Sequence, residues 1–160
     1  MKNQEVGQKE IEAKARKKLN EGWIRCSMFI DALALNEQDA KEVIAEHIDK
    51  MKKESKTLIY KTDFKSVKKL DNPLKGIEAG YSAVVHLWLV VQDLDKLVTL
   101  AMNYGPTNIE IYEPKTLGVP AGEAQIIVNS VADIVHMFAR HNKGGIQFFR
   151  KRAEIMEENI

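Results

Sequence analysis

The order in which strand-like and helix-like spacing of apolar residues succeed each other between residues 22 and 113 leaves few folds open. From Gly22 to Leu35, Trp23, Arg25, Ser27 and Asp31 alternate with Ile24, Cys26, Met28 and Ile30, the period of two of a half-buried strand. Asn36 is placed to cap a helix, with Glu37 and Asp39 in the first turn, where the helix dipole favours negative charge. Ala40, Val43, Ile44, His47, Ile48 and Met51 then recur at helical spacing to near Ser55. Leu58 to Val67 reads as a second strand, and Lys68 to Gly80, with Asn72-Pro73 and two glycines, as a long loop. Tyr81 to Val91, the most apolar stretch, reads as a strand covered on both faces. Asp93 caps a helix carrying Leu94, Leu97, Val98 and Ala101, Gly105-Pro106 stops it, and Asn108 to Tyr112 forms a last strand before Pro114. With right-handed crossovers, this order predicts an α+β fold: a ferredoxin-like four-stranded antiparallel sheet (βαββαβ) with both crossover helices on one face.

Three helical segments lie outside that unit. Gln8 to Asn20 carries a thin apolar line of Ile11, Ala15 and Leu19, and Ala121 to His141 carries a broad one of Ala124, Ile127, Val128, Val131, Ile134, Val135 and Phe138. After Asn142-Lys143-Gly144-Gly145, the residues Ile146, Phe149, Ala153, Met156 and Ile160 fall at the seam spacing of a helix that packs on another helix. The expected organisation is therefore a helical extension over residues 1–21, a ferredoxin-like domain over 22–113, and C-terminal helices over 114–160 that pack on the same domain or on a partner.

Parity assigns the sheet faces. Ile24, Cys26, Met28 and Ile30, with Val85, Leu87 and Leu89, face the crossover helices, which leaves Arg25, Ser27, Phe29, Val84, His86, Trp88 and Val90 on the second face. Exposing that many large apolar groups forgoes roughly 1.5 to 3 kcal/mol for each. The second face is thus expected to be covered, in part by the helix from Ala121 and in part by a second subunit, with Phe29, Trp88, Ile146, Phe149 and Met156 as interface residues.

At 160 residues, 44% of them hydrophobic, the chain is of single-domain length and folds without disulfides or a structural metal. Its lone Cys26 forms no internal bridge, the polar N-terminus has no signal-peptide core, and no apolar run approaches the roughly 20 residues that span a bilayer, so a cytoplasmic protein without a membrane partner is expected. The near-neutral total conceals a division: residues 1–75 hold 17 Lys/Arg against 13 Asp/Glu, and residues 76–142 hold 3 against 7. Opposed halves of this kind attract a charged partner or a second copy of the chain.

Glycine-rich phosphate loops, His-Glu-x-x-His and paired Cys-x-x-Cys are absent, and no catalytic, cofactor or metal site is expected. Cys26 reads as a small buried apolar residue and His47 as a histidine at the core edge; His136 and His141, five apart, point in different directions around their helix. The ligand-binding candidates are Arg25 and His86 on the second face, and Gln125, Asn129, His136 and Arg140, which project from one side of the helix from Ala121. Lysine-rich segments in the first half make nucleic acid a second, less favoured partner. The stretch Ala79 to His86 lacks the basic residue before its glycine, and Ala83 stands where RNA-recognition domains carry a stacking aromatic.

The run Gly80-Tyr81-Ser82-Ala83-Val84-Val85-His86-Leu87-Trp88-Leu89-Val90-Val91-Gln92-Asp93-Leu94-Asp95-Lys96-Leu97-Val98 resembles the strand, short acidic turn and helix of ACT-type and related regulatory domains. The resemblance implies a ferredoxin-like regulatory module. The glycine-bearing ligand loop of those domains is replaced here by Leu35-Asn36-Glu37-Gln38-Asp39, so no ligand site carries over. Together these readings favour a non-enzymatic, oligomer-forming regulatory or adaptor module, with any small polar ligand at a subunit junction and a protein partner on the terminal helices. The alternatives are an RNA- or ribosome-associated protein and an enzyme built around His86 and Arg25.

Overall fold

The computed structural model describes residues 2–74 and 76–141 and contains four helices and five strands: α1 (Lys2–Asn20), β1 (Ile24–Ala34), α2 (Glu37–Met51), β2 (Thr57–Phe64), β3 (Lys68–Leu74), β4 (Ile77–Val91), α3 (Leu94–Tyr104), β5 (Asn108–Glu113) and α4 (Ala121–His141). The chain falls into two compact units, residues 1–70 with 80–118, and residues 71–79 with 119–160.

The sheet runs β2-β4-β1-β5, with β3 also paired to β4. The pairs β1–β4, β1–β5 and β2–β4 are antiparallel. A fifth strand is the main departure from the four-stranded expectation. The segment read as a loop contains β3, and β4 begins at Ile77 rather than Tyr81. Asn72 (φ 50°) and Gly76 (φ 82°) adopt the left-handed backbone that this segment needs, and a strand paired on one side tolerates Pro73 because its missing N–H is not called on.

The helix ends follow local chemistry. Asn36 accepts from the Asp39 backbone N–H and Asp93 from that of Lys96, so both N-caps are satisfied by side chains. Gly105 (φ 54°) closes α3 in the left-handed region that favours glycine. One continuous core lies between the sheet and α2 and α3: Ile24, Cys26, Met28 and Ile30 of β1 and Val85, Leu87 and Leu89 of β4 pack with Ala40, Ile44, Ile48, Met51, Leu97 and Leu100. His47 sits at its edge, its Nε2 within 3.2 Å of the Tyr104 carbonyl and its ring edge-on to Tyr104.

The second face is only partly covered. From Ala83 to Leu89 β4 alternates buried and half-buried residues, and it is buried throughout only from Leu89 to Val91. Val90 faces away from α2 and α3 yet is fully buried. α1 contacts β2, buries Ala15 and donates from Gln8 Nε2 to the Tyr60 carbonyl at 2.7 Å.

In the second unit, Ile127 and Ile134 of α4 are half-buried, while Val128, Val131 and Val135 beside them are exposed. The third expected helix, with Ile146, Phe149 and Met156, lies outside the described residues.

Candidate binding face of the sheet

Register brings the second-face residues into rows that cross the strands. One row is Lys61 (β2), Trp88 (β4), Ser27 (β1) and Glu110 (β5); the next is Asp63, His86, Phe29 and Asn108. Between Ile59 and Lys61 the β2 pairing shifts at a bulge, which puts Lys61 opposite Trp88.

Three rings form a ridge on this face. Phe29 and His86, a cross-strand pair, stack with centroids 4.0 Å apart and planes 18° apart. His86 also meets Trp88, two residues on along β4, at 3.6 Å and 36°. The Lys61 ammonium lies 4.3 Å from the Trp88 ring centroid, a cation–π contact. Both neighbours of His86 are therefore rings. Its Nε2 is buried and has no hydrogen-bond partner. Burial, and then the nearby Lys65 ammonium, lower the His86 pKa, against the smaller opposing pull of Asp63 and Glu110. Both effects disfavour a proton on this ring.

Beside the ridge lies a polar cluster. Ser27 is buried, and its hydroxyl shares a 2.9 Å hydrogen bond with the Tyr112 hydroxyl, which donates to Glu110 Oε2 at 2.9 Å. Arg25 donates through Nη2 to Glu113 Oε1, while its Nε is buried without a partner. Burial raises the Tyr60 phenol, with the Arg25 guanidinium acting the other way.

The candidate residues thus separate by location. Arg25 and His86 lie on this face, two rows apart, with the Trp88–Ser27 row between them. The arrangement that would favour an enzyme does not form: the carboxylate on Arg25 is Glu113, and His86 Nε2 has none. Gln125, Asn129 and His136 share one exposed side of α4 in the other unit, and Arg140 lies in the last turn of that helix. Phe29 and Trp88, expected at an interface, are the two ends of the ridge. Lys61, Tyr112, Glu110 and Glu113 were missed. Alternation along Asn108 to Glu113 carried a signal for Glu110 and Tyr112, whereas Lys61 depends on a bulge that no residue pattern marks.

Among the described residues, no group of three His, Cys, Asp or Glu side chains is placed to hold a metal, and no helix is long and apolar enough to cross a membrane. Cys26, fully buried, has its thiol pushed up to about 12 by burial, which removes it as a nucleophile.

These features define an α+β protein with α2 and α3 packed on one side of an antiparallel sheet and a half-buried aromatic face on the other. The MJ0538 family model matches residues 25–158, and the chain belongs to the MJ0538 family. No curated protein and no solved structure matches the chain.

Proposed function

We propose that this chain is a non-enzymatic, oligomer-forming module on a ferredoxin-like frame, serving a regulatory or adaptor role through the open face of its sheet. The strand order β2-β4-β1-β5, with α2 and α3 on one side, supports the frame, and β3 is then an addition to it. The observation that carries the functional reading is the Phe29–His86–Trp88 ridge. It is half-buried, and a second protein surface would complete its burial. A small polar ligand at such a junction would lie beside the Arg25 and His86 side chains, each of which carries one buried nitrogen without a hydrogen-bond partner. A reducing, cytoplasmic setting suits the buried free thiol of Cys26.

Nucleic acid is the second reading, favoured by Lys61, Lys65, Lys68 and Lys69 along the β2–β3 side of the sheet. Against it, base stacking needs open ring faces, and both neighbours of the His86 ring are already rings.

Sedimentation equilibrium from about 1 to about 100 µM tests the reading. Association that Phe29→Glu abolishes, with circular dichroism unchanged, supports it. A monomer throughout that range overturns it, as does an oligomer that Val131→Lys on α4 dissociates and Phe29→Glu does not. Salt-sensitive binding of single-stranded RNA that Trp88→Ala abolishes would favour the second reading instead.

A further inference from the structure

Among the described residues, three ionic side chains of the open face have no ionic partner: Lys61 and Glu110, which lie in the same row, and Asp31, which stands opposite Val84 two rows away. Lys61 has its ammonium over Trp88 and no carboxylate in contact. Glu110 has only the neutral Tyr112 hydroxyl. The other charges of the two outer strands are paired, Asp63 with Lys65 and Glu113 with Arg25. In the row Lys61–Trp88–Ser27–Glu110 the positive group stands on β2, the negative group on β5, and the two inner strands lie between them. At about 4.8 Å per strand the two ends are roughly 14 Å apart.

We propose that the occupant of this face is a second copy of the chain, related by a two-fold axis that runs along the strands above the seam between β4 and β1. The inference rests on the assembly reading and gives it a geometry. Rotation about such an axis keeps each row at its own level and exchanges its ends. Lys61 of one copy then falls over Glu110 of its partner, and the symmetry repeats the pair. In the next row each His86 comes over a Phe29, so the two ridges bury each other.

The alternative in-plane axis, across the strands, lays β2 over β2 and β5 over β5. Centred on this row, it sets Lys61 against Lys61 and Glu110 against Glu110. Like charges meeting in a partly desolvated contact oppose that arrangement, so charge selects the first axis. α1 lies against β2, with Gln8 bonded to the carbonyl of Tyr60, the residue before Lys61, so the contact begins at the Trp88 row and runs away from that helix through the His86 row. The sheets would pack with aligned strands, one of the two common face-to-face arrangements.

Charge exchange tests the geometry on the full chain. Lys61→Glu and Glu110→Lys should each raise the dimer dissociation constant about tenfold or more at low salt. The double variant Lys61→Glu/Glu110→Lys should return it to near the wild-type value, and the two single variants mixed should form a heterodimer. Both positions are exposed, so folding is checked by unchanged circular dichroism. A wild-type dimer indifferent to either single change, or a folded double variant that stays monomeric, overturns the proposed axis and leaves assembly standing. A wild-type monomer overturns assembly itself.

Discussion

Removing the Glu54 carboxylate should loosen the helix layer by a predictable amount. Glu54 follows α2, and its two oxygens serve two groups of α3: Oε2 accepts from Lys96 Nζ at 2.7 Å and Oε1 from the Tyr104 hydroxyl at 2.9 Å. The Lys96 side chain is only 10% exposed, whereas that of Glu54 is 27% exposed. The asymmetry sets the magnitudes. A hydrogen bond to a charged group contributes about 1.5 to 3 kcal/mol net, and access of water to Glu54 favours the lower end. Glu54→Ala strands the more buried ammonium and should cost about 2 kcal/mol. Lys96→Met leaves a carboxylate that water and Tyr104 still satisfy, and should cost about 1 kcal/mol or less. The double variant should cost about 1 kcal/mol less than the sum of the singles, because the second deletion removes the stranded partner.

Urea unfolding at neutral pH reads these values. For a domain of this size, about 2 kcal/mol moves the midpoint by roughly 1 M at unchanged slope. The pH dependence follows from the same contacts. The Lys96 ammonium, and then the Tyr104 hydroxyl, hold the Glu54 pKa below its ordinary 4.5. Its contribution is therefore complete above the unfolded value and is lost as pH falls through the folded one. Glu54→Gln should flatten that part of the acid limb. Costs under about 0.5 kcal/mol for Glu54→Ala, or strict additivity in the cycle, would refute the reasoning.

The His86 pKa is lowered from 6.5, chiefly by burial, so the unfolded chain takes up this proton first. Stability from this group is complete above about pH 6.5 and falls as pH drops from there towards the folded pKa. His86→Phe, which keeps the stack and removes the unpartnered Nε2, should lose that slope without losing stability; an unchanged slope in thermal melts between pH 5 and pH 7 would contradict this. Cys26, with its thiol at about 12, should resist a water-soluble disulfide reagent at pH 8 in the native protein and react at once in urea. Rapid native labelling would mean that β1 opens far more readily than its burial implies.

Local chemistry made much of the sheet unit legible in the sequence. The Asn36 and Asp93 caps, the Gly105 stop and the parity of β1 each depend on a residue type at one position, and each is found where expected. The α4 boundaries, Ala121 and His141, followed in the same way from an apolar period. The β3 hairpin was missed because Asn-Pro and glycine signal a turn equally well inside a loop and between strands; pairing along β4, a tertiary fact, decides between them. The position of α1 was missed for a related reason. A line of Ile11, Ala15 and Leu19 shows which side of a helix is buried, but not against what.

The proposed contact depends on the part of the structure that was hardest to read. His86 and Trp88 follow from parity on one strand, and Phe29 from parity on its neighbour. The row that links Lys61 to Glu110 needs three strand pairings in correct register, one of them shifted by the bulge before Lys61. A slip of one residue in β2 would turn Lys61 to the other face and remove the positive end of the row. Composition had already shown a basic half and an acidic half of the chain. The sheet converts that division into opposite edges of one surface, because β2 comes from the basic half and β5 from the acidic half and they lie on either side of the central pair. A surface with opposite charges at its two edges is complementary to itself under a two-fold rotation along the strands, so charge that nearly cancels over the whole chain can still direct two copies together.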